Sequence, residues 1–222
     1  MSICAPQVVR DYVRRFGWRR SFIRGTYVAT NQLVSLSVFD CLRLGREDIN
    51  DTLTAIPPGY ECRFLKPDEV NRFQGQLEGI AAKNLRRAVA SSDDIYVVLD
   101  GERIANIGFY AAGPTPVKDD LVIHFVPPAR YMYGGYTSDA YRGGRLHALG
   151  ILNAARELFD RQIPHLVSVC ERTNYRASVS VFRMGWKPCG LLYRLGIESC
   201  NWIGRTAAAQ TLGMNLQWRK HE

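Results

Sequence analysis

The sequence predicts a mixed α/β fold with one mainly antiparallel sheet. Two apolar patterns indicate this fold: short stretches typical of strands, and longer stretches with apolar residues at helical spacing. An Asp-Gly dipeptide at 100–101 joins two of the strands, as in a β-hairpin. With 46% hydrophobic and 23% charged residues over 222 positions, the chain has the composition of a folded globular protein.

The order of the elements predicts one parallel pair in the sheet. Helices are expected within 7–16, 68–91 (with a break near Gly75 and Gly79), 144–160 and 174–185. Strands are expected within 60–66, 95–113 (the hairpin), 121–137 (two strands around a Pro-Pro turn), 165–171, 186–197 and 199–204. Because a helix separates the strands at 131–137 and 165–171, these two are expected to be parallel neighbours.

Two regions are predicted along the chain. Residues 1–58 are expected to form a basic N-terminal extension, with a helix at 7–16 and an extended or mixed segment at 26–44. Residues 59–222 are expected to form the main domain. The boundary is placed within the sequence Ile-Pro-Pro-Gly at 56–59, which is typical of a turn-rich linker.

Positive charge is concentrated in the extension. The net charge is +8, the pI is about 9.3, and six arginines lie between residues 10 and 24. A basic surface attracts nucleic acid, anionic membranes or phosphorylated small molecules. The helix at 7–16 has one apolar face, so it can lie on an anionic membrane or pack on its own domain, and packing is the preferred interpretation. The arginine-rich, acid-poor start also has a faint resemblance to a transit peptide.

Several classes of protein are disfavoured by the composition. No stretch reaches the roughly 20 apolar residues that a membrane span needs. The six cysteines include no Cys-x-x-Cys pair and no Cys/His cluster with zinc spacing, so no metal site is expected. Reduced thiols in a cytoplasmic protein are the better interpretation of these cysteines.

One junction between a strand and a helix carries an unusual sequence, Arg142-Gly143-Gly144-Arg145. The start of a helix leaves backbone N–H groups without partners and has partial positive charge. Glycines allow a ligand to approach that backbone closely, and the arginines add charge suited to phosphate oxygens. The junction therefore predicts either an anion site for a phosphate or diphosphate, or only a tight turn. It has no Walker A ending and no Gly-x-Gly-x-x-Gly pattern, so nucleoside triphosphates and dinucleotides are disfavoured.

This junction and the sequence after it resemble the GNAT superfamily of acyl-CoA-dependent N-acyltransferases. The family pattern is a strand, Arg/Gln-x-x-Gly-x-Gly/Ala opening a helix, a second strand, Asn-x-x-(Ser/Ala), and then Gly-(Phe/Trp). Here 142–147 (Arg-Gly-Gly-Arg-Leu-His), 174–177 (Asn-Tyr-Arg-Ala) and 185–186 (Gly-Trp) hold these places. The resemblance covers about residues 60–198. It implies a mainly antiparallel sheet with helices on both faces and a parallel, splayed strand pair at the cofactor site.

The resemblance also implies a set of donor-binding residues. Amides around the junction would hold the diphosphate of acetyl-CoA or another acyl-CoA. Backbone groups at the end of the strand before the junction would pair with the pantetheine arm. An asparagine would contact the arm or a nearby water. These residues are, in order, Arg142, Gly143, Gly144, Arg145, Leu146 and His147 for the diphosphate, Tyr136 and Thr137 for the arm, and Asn174.

Two departures from the family pattern matter. The glycine in the middle of the turn is replaced by Arg145, and the last small residue is replaced by His147. Many members also carry a tyrosine after the asparagine motif as the acid that protonates the leaving thiolate. Val181 and Phe182 stand at the corresponding places, so this acid is missing or is supplied from elsewhere.

Candidates for proton transfer come from the chemistry of attack by an amine on a thioester. Glu171, at the end of the strand before Asn174, is the best-placed carboxylate, although an exposed loop acid is an equally good interpretation. Tyr133 and Tyr193 can donate a proton to a thiolate, although tyrosines on strands usually serve packing. His147 is expected beside the phosphates and not as a base.

The leading functional hypothesis is an N-acyltransferase that moves an acyl group, most simply acetyl, from acyl-CoA to a primary amine by direct attack. The acceptor can be a small molecule or a peptide amine, and an acyl carrier protein in place of free CoA is left open, as is the oligomeric state. The alternative is a catalytically inactive GNAT-like binding or scaffold protein, favoured by the two departures. A nucleic-acid-binding protein using the arginine-rich start is a third, disfavoured hypothesis.

Overall fold

A computed structural model describes residues 6–31, 34–118, 120–197 and 200–219. The helices are α1 (Pro6–Phe16), α2 (Trp18–Thr30), α3 (Val70–Phe73), α4 (Gly79–Ser91), α5 (Leu146–Asp160), α6 (Tyr175–Arg183) and α7 (Ala207–Thr211). The strands are β1 (Ser35–Leu44), β2 (Tyr60–Phe64), β3 (Asp94–Asp100), β4 (Arg103–Ala111), β5 (Thr115–Lys118), β6 (Leu121–His124), β7 (Arg130–Thr137), β8 (Leu166–Glu171), β9 (Lys187–Ile197), β10 (Cys200–Arg205) and β11 (Asn215–Trp218). Cys4 and Ser199, the first residue of the strand expected at 199–204, lie outside the described residues.

The main sheet has eight strands in the order β10-β9-β1-β8-β7-β4-β3-β2. Every neighbouring pair is antiparallel except β7 and β8, which are parallel. This confirms the mixed, mainly antiparallel sheet and the one parallel pair predicted from the sequence. The hairpin is also confirmed, because β3 and β4 pair on either side of the Asp-Gly turn.

The parallel strands β7 and β8 separate soon after they begin. Their register includes only Arg130 with Leu166 and Tyr131 with Val167. Beyond Tyr131, the side of β7 that faces β8 has no strand partner among the described residues. The two strands therefore splay toward their carboxyl ends, where each of them leads into a helix, α5 and α6 respectively.

Helices cover both faces of the sheet, as predicted. On one face, α5 buries Leu152, Leu158 and Phe159 with strand residues such as Leu44. On the other face, α3 and α4 bury Phe73, Leu85 and Ala88 in a second cluster. The apolar residues of α5 recur at helical spacing, so burial of one side of this helix fixes its orientation.

The position of β1 corrects the predicted division at residue 58. This strand, Ser35–Leu44, lies inside the main sheet between β9 and β8. Its residues Cys41, Leu42 and Leu44 are fully buried. Because β1 completes the sheet that the later strands build, residues 35–44 belong to the same folding unit as the segment after residue 58.

A second, three-stranded sheet has the order β11-β6-β5. The sequence predicted β6 and β7 as consecutive strands around a Pro-Pro turn, and both strands form, but in different sheets. Leu121 and Ile123 of β6 are buried against β5 and β11. The chain after β10 thus forms α7 and β11, and β11 pairs with β6. Neither of these two elements is predicted from the sequence.

The N-terminal residues form two helices in place of one. Helix α1 confirms the helix expected at 7–16, whereas the segment expected to be extended from residue 26 remains helical as far as Thr30. Asn31 ends this helix, because its Nδ2 donates to the Tyr27 carbonyl at 3.0 Å and its Oδ1 accepts from the Leu36 amide at 2.9 Å. No helix within the described ranges is long and apolar enough to cross a membrane.

Candidate functional site

The loop between β7 and α5 has the geometry of an anion cradle. Gly143 has φ +90°, and Arg145, which caps α5, has a left-handed conformation with φ +59°. All four residues 142–145 are exposed, and α5 begins at the next residue, Leu146. In the described part of the chain, no backbone carbonyl accepts from the amides of Gly143, Gly144 or Arg145. Backbone N–H groups without partners at the start of a helix are an arrangement that favours anions in general.

The two arginines of this loop have different surroundings. Arg142 is paired with Asp139, whose Oδ1 lies 2.5 Å from its Nη2. Arg145 lines a small cavity of about 80 Å³ together with Arg183 of α6. This cavity between the start of α5 and the end of α6 therefore has two arginines at its wall, which suits a phosphate group.

A larger cavity of about 750 Å³ lies where β7 and β8 splay apart. One side of its wall comes from α5 and α6, and the other side from α4 and β5. Its lining includes Ile80, Asn84 and Arg87 of α4, Pro116, Val117 and Lys118 of β5, residues 131–135 of β7, His147 and Ile151 of α5, Ser168, Val169 and Cys170 of β8, Ala177 and Val181 of α6, and Trp186. The cavity thus extends between the strands from one face of the sheet to the other.

A β-bulge shapes the β7 wall of this cavity. Ile107 pairs with Tyr136 and Phe109 with Tyr133, so Gly134 and Gly135 face a single residue of β4. Gly134 has φ +63°, a conformation that favours glycine. A bulge at this point changes the direction of the main-chain groups of β7 just where β8 has moved away.

The predicted strand-end residues Tyr136 and Thr137 lie immediately after this bulge. Asn106 of β4 donates through Nδ2 to the Tyr136 carbonyl at 2.7 Å and to the Thr137 hydroxyl at 2.9 Å. Asn106 is buried, so these contacts hold the end of β7 firmly on its β4 side. The opposite edge of the strand is the one that can pair with an extended ligand.

His147 stands at the point where the two cavities meet. It lines both of them, and its ring lies against Gly135, since a Cβ added to this glycine would come within 2.6 Å of the imidazole Cε1. Burial lowers the pKa of His147, so the neutral imidazole is favoured. The side chain that replaces the small residue of the family pattern therefore fills space between the two cavities.

Asn174 caps helix α6 with its side chain. Its Oδ1 accepts a hydrogen bond from the Ala177 amide at 3.2 Å, and the residue is exposed. This placement uses the carbonyl end of the amide for the fold and leaves the Nδ2 end at the surface. Trp186, by contrast, lines the cavity with a buried Nε1 that has no hydrogen-bond partner among the described residues.

The three candidates for proton transfer lie in very different places. Tyr133 is buried and lines the cavity, and its hydroxyl donates to Asp93 Oδ2 at 2.7 Å. Burial, followed by the bond to Asp93, raises the pKa of Tyr133. The Arg87 guanidinium lies 4.0 Å from the centre of the same ring. Tyr133 is therefore protonated at neutral pH and can act only as a donor.

Glu171 does not line the cavity itself but contacts Lys118, which does. Its Oε1 accepts from the Tyr27 hydroxyl at 2.8 Å and lies 3.7 Å from Lys118 Nζ, which itself lines the cavity. Burial raises the pKa of Tyr27 to about 12, and the bond to this carboxylate contributes to the rise. The carboxylate is thus held by the N-terminal helices on one side and by the cavity wall on the other.

Tyr193 is remote from the cavity. It is 44% exposed on β9, where its ring covers the backbone of Gly204 on β10. A Cβ added to Gly204 would come within 2.3 Å of the tyrosine ring. The position of Tyr193 supports a packing role at the edge of the sheet and does not bring it to the donor side or to the acceptor side.

Sequence reasoning missed the polar wall supplied by α4. Asn84 and Arg87 line the cavity together with Ile80, which shares their face of the helix. The signal was present in the spacing: residues 80, 84, 87 and 91 form one stripe next to the buried stripe of residues 81, 85 and 88. Asp93 was also missed, because a lone acid after a helix gives no sign that it will meet Tyr133.

Comparison with known proteins supports the fold. No protein-family model matches the sequence, and no curated protein matches it either. A GNAT-family protein from Novosphingobium aromaticivorans has 15% identity and a TM-score of 0.51, over 74% of this chain and 66% of its own. The tandem GNAT protein from the clavulanic acid biosynthesis pathway has 14% identity and a TM-score of 0.52, over 82% and 58%. A GNAT-family acetyltransferase from Colwellia psychrerythraea has 6% identity and a TM-score of 0.50, over 79% and 62%.

These likenesses define the class of fold. The splayed parallel pair, the glycine-rich loop before α5 and the solved structures together give this chain a GNAT-like fold. The matched region spans less than two-thirds of each of those three chains. Across the described residues, no group of three or more His, Cys, Asp or Glu side chains could hold a metal ion.

Proposed function

We propose that this protein is an N-acyltransferase that transfers an acyl group, most simply acetyl, from acyl-CoA to a primary amine. The observation that carries the proposal is the cavity of about 750 Å³ between the splayed strands, which reaches from α5 and α6 on one face of the sheet to the polar wall of α4 on the other, with the exposed loop 142–145 at the start of α5. A bisubstrate reaction needs such a passage, because donor and acceptor must meet while they enter from opposite sides.

The residues on the α5 side fit the donor. The free amides of Gly143 and Gly144 and the guanidinium of Arg145 suit a diphosphate. The buried Nε1 of Trp186 has no hydrogen-bond partner among the described residues and can donate to an amide carbonyl of the pantetheine arm. His147 lines the large cavity, so the arm would lie against a neutral imidazole.

The chemistry is direct transfer without a covalent intermediate on the protein. The neutral amine attacks the thioester carbonyl, a C–N bond forms, the C–S bond breaks, and one proton leaves the nitrogen while one is taken up by the thiolate. Tyr133 is the proposed proton donor, because it lines the cavity and stays protonated. Its hydroxyl would exchange its bond to Asp93 for a bond to sulfur.

Two carboxylates are proposed to receive the proton of the amine. Asp93 accepts from Tyr133 at the cavity wall, and burial raises its pKa, which makes it a stronger base than an exposed aspartate. Glu171 would act through water past Lys118. We favour Asp93, because only Tyr133 separates it from the cavity: Asp93 would take the proton of the amine through water and return it to Tyr133 after Tyr133 has protonated the thiolate.

The acceptor side favours an amine whose remaining part is neutral or anionic. Four basic side chains line the cavity, namely those of Lys83, Arg87, Lys118 and Arg219. Among the described residues, no Asp or Glu lines it. Nearby positive charge disfavours the protonated form of an amine and so assists the loss of its proton. A polyamine is expected to be a poor acceptor for the same reason.

The experiment is a binding assay followed by a turnover assay. Calorimetry with CoA, acetyl-CoA and longer acyl-CoAs is expected to give a saturable donor site. Release of free thiol is then followed with acetyl-CoA and a panel of amines that includes amino acids, alkylamines and polyamines. If CoA does not bind at all, the proposed function is wrong.

A second function is favoured by one observation, the position of His147. His147 lies between the two cavities, and its imidazole can leave a site that binds CoA or its diphosphate without admitting a thioester, as in a catalytically inactive GNAT-like binding protein. Tight binding of CoA without thiol release from any donor or amine would support this alternative. Replacement of His147 by glycine, the residue type of the family pattern, would then be expected to restore turnover.

A further inference from the structure

Helix α2 exposes large apolar side chains to solvent, whereas a packed helix usually buries its apolar side. None of the residues of α2 is buried. Trp18, Phe22 and Ile23 are 68%, 69% and 52% exposed, which is large for apolar side chains. Trp18 and Phe22 are four residues apart and so lie next to each other on one side of the helix, and Ile23 lies about 100° further round.

The inner side of the same helix is held by polar contacts. Arg24 donates through Nη1 to the Thr173 carbonyl at 2.9 Å. The Tyr27 hydroxyl lies 2.8 Å from Glu171 Oε1 and 3.0 Å from the Leu36 carbonyl. These contacts fix which side of α2 faces the domain. The exposed apolar side is therefore a consequence of a defined docking and not of a helix without partners.

Exposed arginines lie at the end of α1 and in α2, and the Arg19 guanidinium lies 5.7 Å from the centre of the Trp18 ring. Arg14, Arg15 and Arg19 are exposed, and none of them is paired with a carboxylate of the described residues. The sequence contains no Asp or Glu between Asp11 and Asp40. The surface made by Trp18, Phe22, Ile23 and these three arginines, here called the N-terminal basic face, thus combines large apolar side chains with uncompensated positive charge.

We propose that the N-terminal basic face binds the surface of an anionic phospholipid bilayer. Helices with exposed Trp, Phe and Ile on one side and arginines around them lie in the plane of the interface, with the apolar side chains among the acyl chains and the cations at the lipid phosphates. Tryptophan and arginine both suit this boundary, because each combines an apolar part with a polar end. A nucleic acid would use the arginines but would leave Phe22 and Ile23 in water.

The test is sedimentation of the full chain with vesicles. Vesicles of phosphatidylcholine with added phosphatidylglycerol are expected to bind the protein, vesicles of phosphatidylcholine alone to bind it much less, and added salt to weaken the binding. The variant Trp18→Ala/Phe22→Ala is expected to bind about tenfold or more weakly, because each side chain would lose its burial in the acyl region. The variant Arg15→Glu/Arg19→Glu is expected to lose about fivefold or more per arginine.

Trp202 gives a matched control. It is 71% exposed on β10, outside the proposed surface, so Trp202→Ala is expected to leave vesicle binding unchanged. The conservative variant Trp18→Phe keeps the apolar surface and is expected to bind vesicles while losing the part of the blue shift in emission that Trp18 contributes. This second measurement decides the question even if the alanine variant does not fold.

Three results would overturn the proposal. These are equal binding to neutral and anionic vesicles, equal loss of binding in Trp202→Ala and in Trp18→Ala/Phe22→Ala, and vesicle binding that the alanine pair leaves intact while the glutamate pair abolishes it. The last result would identify a purely electrostatic surface, and a DNA fragment added as competitor would then displace the vesicles.

Discussion

The two sides of the cavity are built from different parts of the chain. On the α5 side, the groups that face a ligand are backbone amides of an exposed loop. On the α4 side, they are side chains, a buried tyrosine held by an aspartate and covered by an arginine. The backbone side depends on loop conformation and on charge, whereas the side-chain side depends on individual functional groups. Substitutions should therefore divide cleanly into those that change donor binding and those that change turnover.

The largest expected effect lies on the side-chain side. Asp93→Asn is expected to lower kcat by about 10²-fold or more while donor binding stays unchanged, because the amide can neither take a proton nor recharge Tyr133. Stopped thiol-release assays and calorimetry with CoA measure the two quantities separately. Asp94→Asn is the matched control, since Asp94 pairs with Arg130 and Arg161 and does not line the cavity. A loss of CoA affinity with an unchanged kcat would contradict the division between the two sides.

The same variant makes a prediction about stability. Burial raises the pKa of Asp93, so the folded protein holds this proton more tightly than the unfolded chain does. The stability that this group contributes is present at pH values below its unfolded pKa, about 3.9, and is lost as the pH rises through the folded pKa. Thermal unfolding of Asp93→Asn is therefore expected to lack this part of the pH dependence.

The next largest effect lies on the backbone side. Arg145→Glu keeps a non-glycine residue at the left-handed position and reverses the charge beside the free amides. It is expected to weaken CoA binding by about 10- to 100-fold, the range for loss of a charge-assisted hydrogen bond. At saturating donor, kcat should change little. Arg86→Glu on the exposed side of α4 makes the same change in net charge and should leave donor affinity intact.

A smaller effect is expected at His147, which lies between the two sides. Because burial lowers its pKa, the stability that it contributes is present above its unfolded pKa, about 6.5, and is lost as the pH falls through the folded value. His147→Ala is expected to unfold at a temperature that falls less between pH 7.5 and pH 5.5 than that of the wild type. Part of the slope should remain, since burial also lowers the pKa of His165. An unchanged slope would show that folding does not shift the pKa of His147.

The backbone side could be predicted from the sequence because its requirements are conformational. A glycine pair before an amphipathic helix, followed by Asn174 and Gly185 at workable spacing, is visible in one sequence, and so is the parallel strand pair that the helix between them requires. The fold follows for the same reason, since strand and helix periodicities report burial directly. The position of β1 was not predictable from its own pattern, because pairing with β8 and β9 depends on residues more than 120 positions away.

The side-chain side could not be predicted because it is assembled over long distances in the sequence. Tyr133 meets Asp93 across 40 positions, and neither residue lies in a motif. Glu171 was identified from its place after β8, yet its partners Tyr27 and Lys118 come from a helix that was expected to be extended and from a short strand of the second sheet. Such meetings are decided by tertiary packing, on which local patterns carry no information.

The smallest effect is expected at Tyr193, the candidate that lies on neither side. Its ring is 44% exposed and lies over Gly204 with its hydroxyl, so Tyr193→Phe keeps the ring packing and removes only the hydroxyl. Donor binding and kcat are both expected to stay within about twofold of the wild type, as for most surface changes. Tyr133→Phe, the same chemical change inside the cavity, is expected to lower kcat and to destabilise the fold, because Asp93 would lose its buried donor. If the two phenylalanine variants had the same kcat, proton transfer would not pass through Tyr133. The side chains on the α4 side would then line the cavity without a part in the reaction.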